Sequence, residues 1–126
     1  MAMNAYLSAS LTVKDVRTSV TWYRDALGFT VSQEHERGGV LRAVSLSAGG
    51  AQILLSQDDG AKGADRAKGE GISLMLTTEN VDDLAAQAKA HGATLDTEPT
   101  DMGGRRAFRL RDPDGFRLTI ATERKA

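Results

Sequence analysis

One order of elements occurs twice in this chain at a nearly fixed offset, and that repeat limits its fold more than any other feature. Leu11 and Leu74 are 63 residues apart, Gly28 and Gly92 are 64 apart, and Gly50 and Gly115 are 65 apart. Around the first set of landmarks, Leu7, Ala9, Leu11 and Val13 alternate with Ser8, Ser10 and Thr12, the period of a half-buried strand. Asp15 offers an N-cap, and Val16, Val20, Tyr23 and Leu27 fall on one helical face that Gly28 closes. Three strands follow, over 29–36, 40–47 and 51–56, separated by Gly38-Gly39 and Gly49-Gly50 turns. The second half repeats this order. A strand containing Ile72, Leu74 and Leu76 precedes a helix with Asn80 as its cap and Val81, Leu84, Ala85 and Ala88 on its apolar face. Short strands then run over 94–98 and 105–110, the Asp112-Pro113-Asp114-Gly115 turn follows, and the last strand covers 116–122.

The repeat predicts an α+β protein of two βαβββ modules in one domain, 1–126, with module 1 at about 6–56 and module 2 at about 71–122. Neither module is large enough to bury a stable core alone, so each needs the other or a second chain. Residues 57–70 are polar and glycine-containing, and read as a flexible linker. Composition excludes several classes. A net charge of -1 leaves no basic footprint for nucleic acid. No run approaches the roughly 18 apolar residues of a membrane span, and the first residues do not form a signal peptide. There are no cysteines, which removes disulfides and thiolate chemistry and fits a cytoplasmic location.

Three motifs carry a resemblance to a known family: Leu11-x-Val13-x-Asp15; Ser19-Val20-x-Trp22-Tyr23-x-x-x-Leu27-Gly28-Phe29; and Asp112-Pro113-Asp114-Gly115-Phe116. Together they resemble the glyoxalase/bleomycin-resistance/dioxygenase superfamily, the vicinal-oxygen-chelate fold, over nearly the whole chain. The resemblance implies mixed sheets curled around a cavity, with helices on their outer faces. It also implies where metal-using relatives place their ligands. Those positions fall here at Ser8, Leu54, Gly71 and Thr119. None holds an imidazole or carboxylate, which divalent transition metals require, so the expectation is a member without metal or other cofactor. Only two histidines exist, His35 and His91, and in Glu34-His35-Glu36 alternation turns the histidine away from both acids.

Alternation combined with the family's architecture assigns a cavity face. Ser8, Ser10, Gln52, Leu54, Ser73, Met75, Arg117 and Thr119 are expected to line it, with Phe108 as a stacking surface. Ile72 is expected to face the helices, Trp22 and Tyr23 to pack in the core, and Arg105, Arg106 and Arg111 to form a solvated outer hairpin. A face of hydroxyls, amide and thioether with few charges suits an uncharged or weakly polar ligand. The resemblance therefore implies a homodimer that binds a small organic molecule, such as a drug or natural product, and sequesters it. An enzyme remains the alternative: a metal-dependent lyase, isomerase or ring-cleaving dioxygenase. A pure interaction module is the third. No acid/base pair of defined spacing favours catalysis.

Overall fold

A computed structural model describes residues 1–64 and 66–123, so Asp65 of the linker lies outside the described residues. The elements run β1 (Ala9–Val13), α1 (Val16–Leu27), β2 (Thr30–Arg37), β3 (Val40–Ala48), β4 (Ala51–Gln57), β5 (Ser73–Thr77), α2 (Val81–Ala90), β6 (Leu95–Met102), β7 (Arg105–Arg111) and β8 (Arg117–Ala121). They form two sheets of identical topology, β1-β4-β3-β2 and β5-β8-β7-β6, each with a parallel pair between its edge strand and the strand that closes the module. The α+β architecture of two βαβββ modules is as the repeat predicts. No helix among the described residues is long and apolar enough to cross a membrane.

Local chemistry explains the elements. Asp15 caps α1 by accepting from the N–H groups of Arg17 and Thr18, 3.1 and 3.4 Å away. Gly28 ends the helix at φ 76°, a left-handed conformation that costs glycine nothing, and the Phe29 N–H reaches the Tyr23 carbonyl. In α2 the expected cap is only partly realised, since Asn80 occupies the position but its side chain makes no capping hydrogen bond. Asp82 and Asp83 in the first turn and Lys89 in the last still complement the helix dipole.

The core lies between the helices and one face of each sheet. In module 1, Leu11, Val13, Val44, Leu46, Ile53 and Leu55 meet Val16, Tyr23 and Leu27. In module 2, Phe108, Leu110, Leu118 and Ile120 meet Val81, Ala85 and Ala88. The modules join through their helices, α1 against α2, while the two sheets have no substantial contact with one another. Within one chain the sheets therefore do not close a common cup.

A second junction ties the modules together. Tyr23 of α1 donates its hydroxyl to Asp112 in the β7–β8 turn at 2.7 Å, and both side chains are buried. The other Asp112 oxygen accepts from the N–H groups of Asp114 and Phe116, both at 2.9 Å. Asp114 in turn accepts from the Lys14 N–H at 2.8 Å and from Lys68 Nζ at 2.7 Å. The linker is held where a flexible tether was expected. Lys68 pairs with Asp114, and Gly69 lies so close to the Phe116 ring that an added Cβ would meet it at 2.7 Å. Gln57 belongs to β4 and not to the linker, and its amide bridges the Val16 N–H and the Lys14 carbonyl.

Candidate functional site

Strand pairing settles which side chains share the face turned away from the helices. In the first sheet, Ser10 lies beside Leu54 and Thr12 beside Ser56. Ser45 and Ser47 continue that face opposite Leu54 and Gln52. Ser8, just outside β1, donates to the Gln52 amide oxygen at 3.3 Å. His35 joins the face opposite Ala43, its Nε2 3.2 Å from the Ser45 hydroxyl. Glu34 and Glu36 flank it as exposed residues, so no acid–histidine–acid cluster forms.

In the second sheet, Ser73 lies beside Arg117 and Met75 beside Thr119. The Ser73 and Thr119 hydroxyls are 3.2 Å apart. Across the β7–β8 pair, Arg109 lies opposite Thr119 and Arg111 opposite Arg117. Together Ser73, Met75, Asp96, Arg109, Arg117 and Thr119 line a shallow recess of about 330 Å³. Thr119 is nearly buried within it, while Met75 is 57% exposed.

Three expectations need correction. Phe108 does not reach this face: it pairs with Ile120, is wholly buried and packs in the core. Its neighbours Ala107 and Arg109 point the other way, as period two demands. Ile72 precedes β5 and is 61% exposed instead of packing under a helix. The arginines do not form one outer hairpin. Arg106 turns to the helix side and grips Asp82 with Nε and Nη2 at 2.8 and 2.9 Å, whereas Arg105, Arg109 and Arg111 share the open face with Arg117. The open face of the second sheet is therefore rich in charge, not poor in it. The sequence signal was present: Phe108 and Leu110 mark the core side of β7, which assigns the odd-numbered arginines to the other.

Charge compensation on that face is sparse. Arg111 reaches Asp96 at 3.3 Å, with both side chains half exposed. Arg105 rests Nη1 on the Met75 sulfur at 3.0 Å, and its buried Nε has no hydrogen-bond partner. Arg109 and Arg117 have no side-chain hydrogen bond or ion pair among the described residues.

The positions that hold metal in metal-using relatives do not suit a metal here. Leu54 and Gly71 bring no donor atom, and Ser8 and Thr119 offer only neutral hydroxyls, which are poor ligands for a transition metal. Among the described residues no three His, Cys, Asp or Glu side chains lie close enough to share an ion. A larger recess of about 590 Å³ lies elsewhere, where the modules meet, between the Leu27–Phe29 corner, the Gly49-Gly50 turn and the start of α2. Its lining contains no charged side chain and none of Ser8, Leu54, Gly71 and Thr119, but it shares Met75 with the smaller recess.

Tyr23 and Asp112 are the buried titratable pair, and both belong to the module junction. Burial, reinforced by the neighbouring Asp112 carboxylate, holds the Tyr23 hydroxyl far above its ordinary range. Burial likewise raises the Asp112 carboxyl, against the hydrogen bonds from Tyr23 and the Phe116 and Asp114 N–H groups that favour its charge.

Residues 5–120 match the family described as the Glyoxalase/Bleomycin resistance protein/Dioxygenase superfamily. Among solved structures, the chain is similar to a glyoxylase/bleomycin resistance protein/dioxygenase domain from Frankia sp. EAN1pec, at TM-score 0.83 and 23% identity, covering 99% of this chain and 96% of that one. It is also similar to TioX from Micromonospora sp. ML1, at TM-score 0.78 and 20% identity over 94% and 98% of the two chains. TnmS3, an antibiotic binding protein from Streptomyces sp. CB03234, aligns at TM-score 0.75 and 19% identity over 97% and 98%. At these identities the likeness concerns the fold. No curated protein matches the sequence.

Proposed function

Because the chain belongs to the Glyoxalase/Bleomycin resistance protein/Dioxygenase superfamily, we propose that it binds a small organic molecule, without a metal, in a cavity that two copies of the chain form together. The observation that carries this reading is the open face of each sheet. Those faces present ligand-binding chemistry, hydroxyls, amide, thioether and guanidinium, at and around positions where Leu54 and Gly71 leave an ion without donors. An antibiotic binding protein among the structural neighbours supports the same reading.

The dimer follows from what one chain leaves uncovered. A single open sheet cannot enclose a ligand, and this chain's two sheets make no substantial contact with one another. Among the described residues the edge strands β1 and β5 have no partner on their outer sides, and Leu7 and Ile72 just before them and Met75 within β5 are 91%, 61% and 57% exposed. A second copy that sets its second sheet against the first sheet of this one covers both edges and closes two equivalent cups, as two-fold symmetry requires. Ser8, Ser10, Gln52 and Leu54 of one copy then share a cup with Ser73, Met75, Arg117 and Thr119 of the other.

The test is thermal unfolding of the untagged protein with a panel of aromatic natural-product antibiotics, each with and without chelator. Binding raises the melting temperature with the logarithm of ligand concentration and is indifferent to chelator. Sedimentation in parallel should give twice the 13.4 kDa chain mass. A monomer at micromolar concentration would refute the shared cup. Chelator-sensitive turnover of any panel compound would replace sequestration with metal catalysis.

A further inference from the structure

The arginines on the second sheet allow the ligand class to be narrowed. We propose that this face recognises an oxyanion, a carboxylate, sulfonate or phosphate borne by a mainly apolar organic ligand, through Arg109 and Arg117 with the Thr119 hydroxyl between them. The proposal rests on the small-molecule reading above.

The placement of charge is the first argument. Arg111 and Arg117 are directly opposite on neighbouring strands, and Arg109 follows on the same face of β7. Like charges set side by side across a sheet repel, and a fold gains nothing from such a cluster unless a counter-charge sits there. Asp96 is the one carboxylate in the recess, and it is taken by Arg111. Arg106 shows the alternative within the same strand, since it faces the other way and is matched by Asp82 and, at 3.4 Å, Asp101. Arg106 on the helix side of β7 is thus paired, while Arg109 and Arg117 on the open face have no partner among the described residues.

The first sheet supplies the second argument. In the shared cup its open face lies across from these arginines, and along β1, β3 and β4 it offers Ser10, Thr12, Ser45, Ser47, Gln52 and Ser56 but no carboxylate, while Glu36 and Asp59 line a separate recess with His35, Arg37 and Arg42. The partner copy therefore brings hydrogen-bond donors and acceptors, not the missing negative charge. The ligand is left to bring it. Guanidinium groups suit this role because their planar donors match two oxygens of a carboxylate, sulfonate or phosphate at once. Exposed Met75 beside Thr119, with Leu54 across the cup, gives the rest of the ligand an apolar seat.

Two fluorescent probes with one body test this: anilinonaphthalene sulfonate and its uncharged parent, phenylnaphthylamine. Titrated into the full chain at constant ionic strength, the sulfonate should bind at least about tenfold more tightly than the parent, the factor expected of charge-assisted hydrogen bonds. Arg109→Ala and Arg117→Ala should each weaken the sulfonate about tenfold and leave the parent within about twofold. Arg106→Ala should change neither. If an alanine variant fails to fold, Arg117→Gln and Arg109→Gln serve in its place, and Arg117→Lys should retain part of the preference. Equal affinity for both probes, or parallel loss of both in the arginine variants, would overturn the oxyanion assignment while leaving the small-molecule cavity standing. Binding of neither probe would overturn both.

Discussion

The two modules share one topology and one register, yet they solve packing and surface differently. Module 1 fills its core from the helix: Tyr23 stands edge-on to Phe29 and to Trp22, at centroid distances of 5.6 and 4.9 Å. At the matching point of α2, 65 residues on, stands Ala88. Module 2 recovers the missing volume from its sheet, where Phe108 occupies the position that Val44 holds in module 1. The open faces diverge further, with hydroxyls and an imidazole on the first sheet and guanidiniums on the second. The comparison teaches that a repeated fold requires agreement only in what defines the backbone, namely the alternation of buried positions, the helix caps and the turn glycines. Volume can move between helix and strand, and the face away from the core is free to acquire a second chemistry.

The sharpest way to break this comparison is to remove the bulk that module 2 draws from its sheet. Phe108→Ala should cost about 3–5 kcal/mol, because small Ala85 and Ala88 cannot collapse into the space. Val44→Ala, at the matching strand position of module 1, should cost clearly less. Urea denaturation with unchanged m-values would measure both. Equal losses would mean that the two cores do not divide their volume in this way.

The next effect concerns the asymmetric junction. Module 2 offers Asp112 and Asp114 to module 1, whereas the corresponding turn of module 1 has Gly49 and Gly50 and nothing to offer in return. The latch is therefore made once, and it sets which surfaces of the modules meet. Tyr23→Phe keeps the ring and deletes the donor to Asp112, which should cost about 1–3 kcal/mol, toward the low end because two backbone N–H groups still serve that carboxylate. An unchanged denaturation midpoint would remove the latch from the account of how the modules join. By contrast, Arg106→Ala breaks a solvent-screened pair with Asp82, and its cost should be smaller than that of Tyr23→Phe.

These contacts also explain what the sequence disclosed in advance. Element order and the Gly28 cap were legible because period, caps and turns are local properties. Two of the three motifs that carry the family resemblance supply the junction: Tyr23 of the second bonds Asp112 of the third. That meeting joins residues 89 positions apart and has no local signature. The open face was legible only in part. Alternation puts Ser10 and Gln52 on the open face of the first sheet and Ser73, Met75 and Thr119 on that of the second, whereas Phe108 follows the parity of β7 into the core and not its aromatic character into the cavity. The same parity puts Arg105 and Arg111 on the open face. That the modules join through α1 and α2 was not legible, because helix-to-helix and sheet-to-sheet pairing of two such modules present the same local pattern.

The smallest predicted effect tests the junction through pH, and its sign follows from burial. The Asp112 carboxyl is raised above its ordinary value of 3.8, so the folded chain holds this proton more tightly than the unfolded chain does. Between 3.8 and the raised value the folded state carries more proton, and stability must fall as pH rises through that window, then level off above it. Asp25, Asp58 and Asp82 act in the opposite sense. Each is lowered, by hydrogen bonds from Arg24, the Gly60 N–H and Arg106 respectively, so their contributions are lost only as pH falls below 3.8. The two windows do not overlap, which makes the Asp112 contribution separable. The unfolding free energy of the native chain minus that of Asp112→Asn should therefore decline with rising pH above 3.8 and become flat beyond the raised value. A difference that stays flat from the start would mean that water reaches this carboxylate, and that the modules are held by helix packing without a buried charge between them.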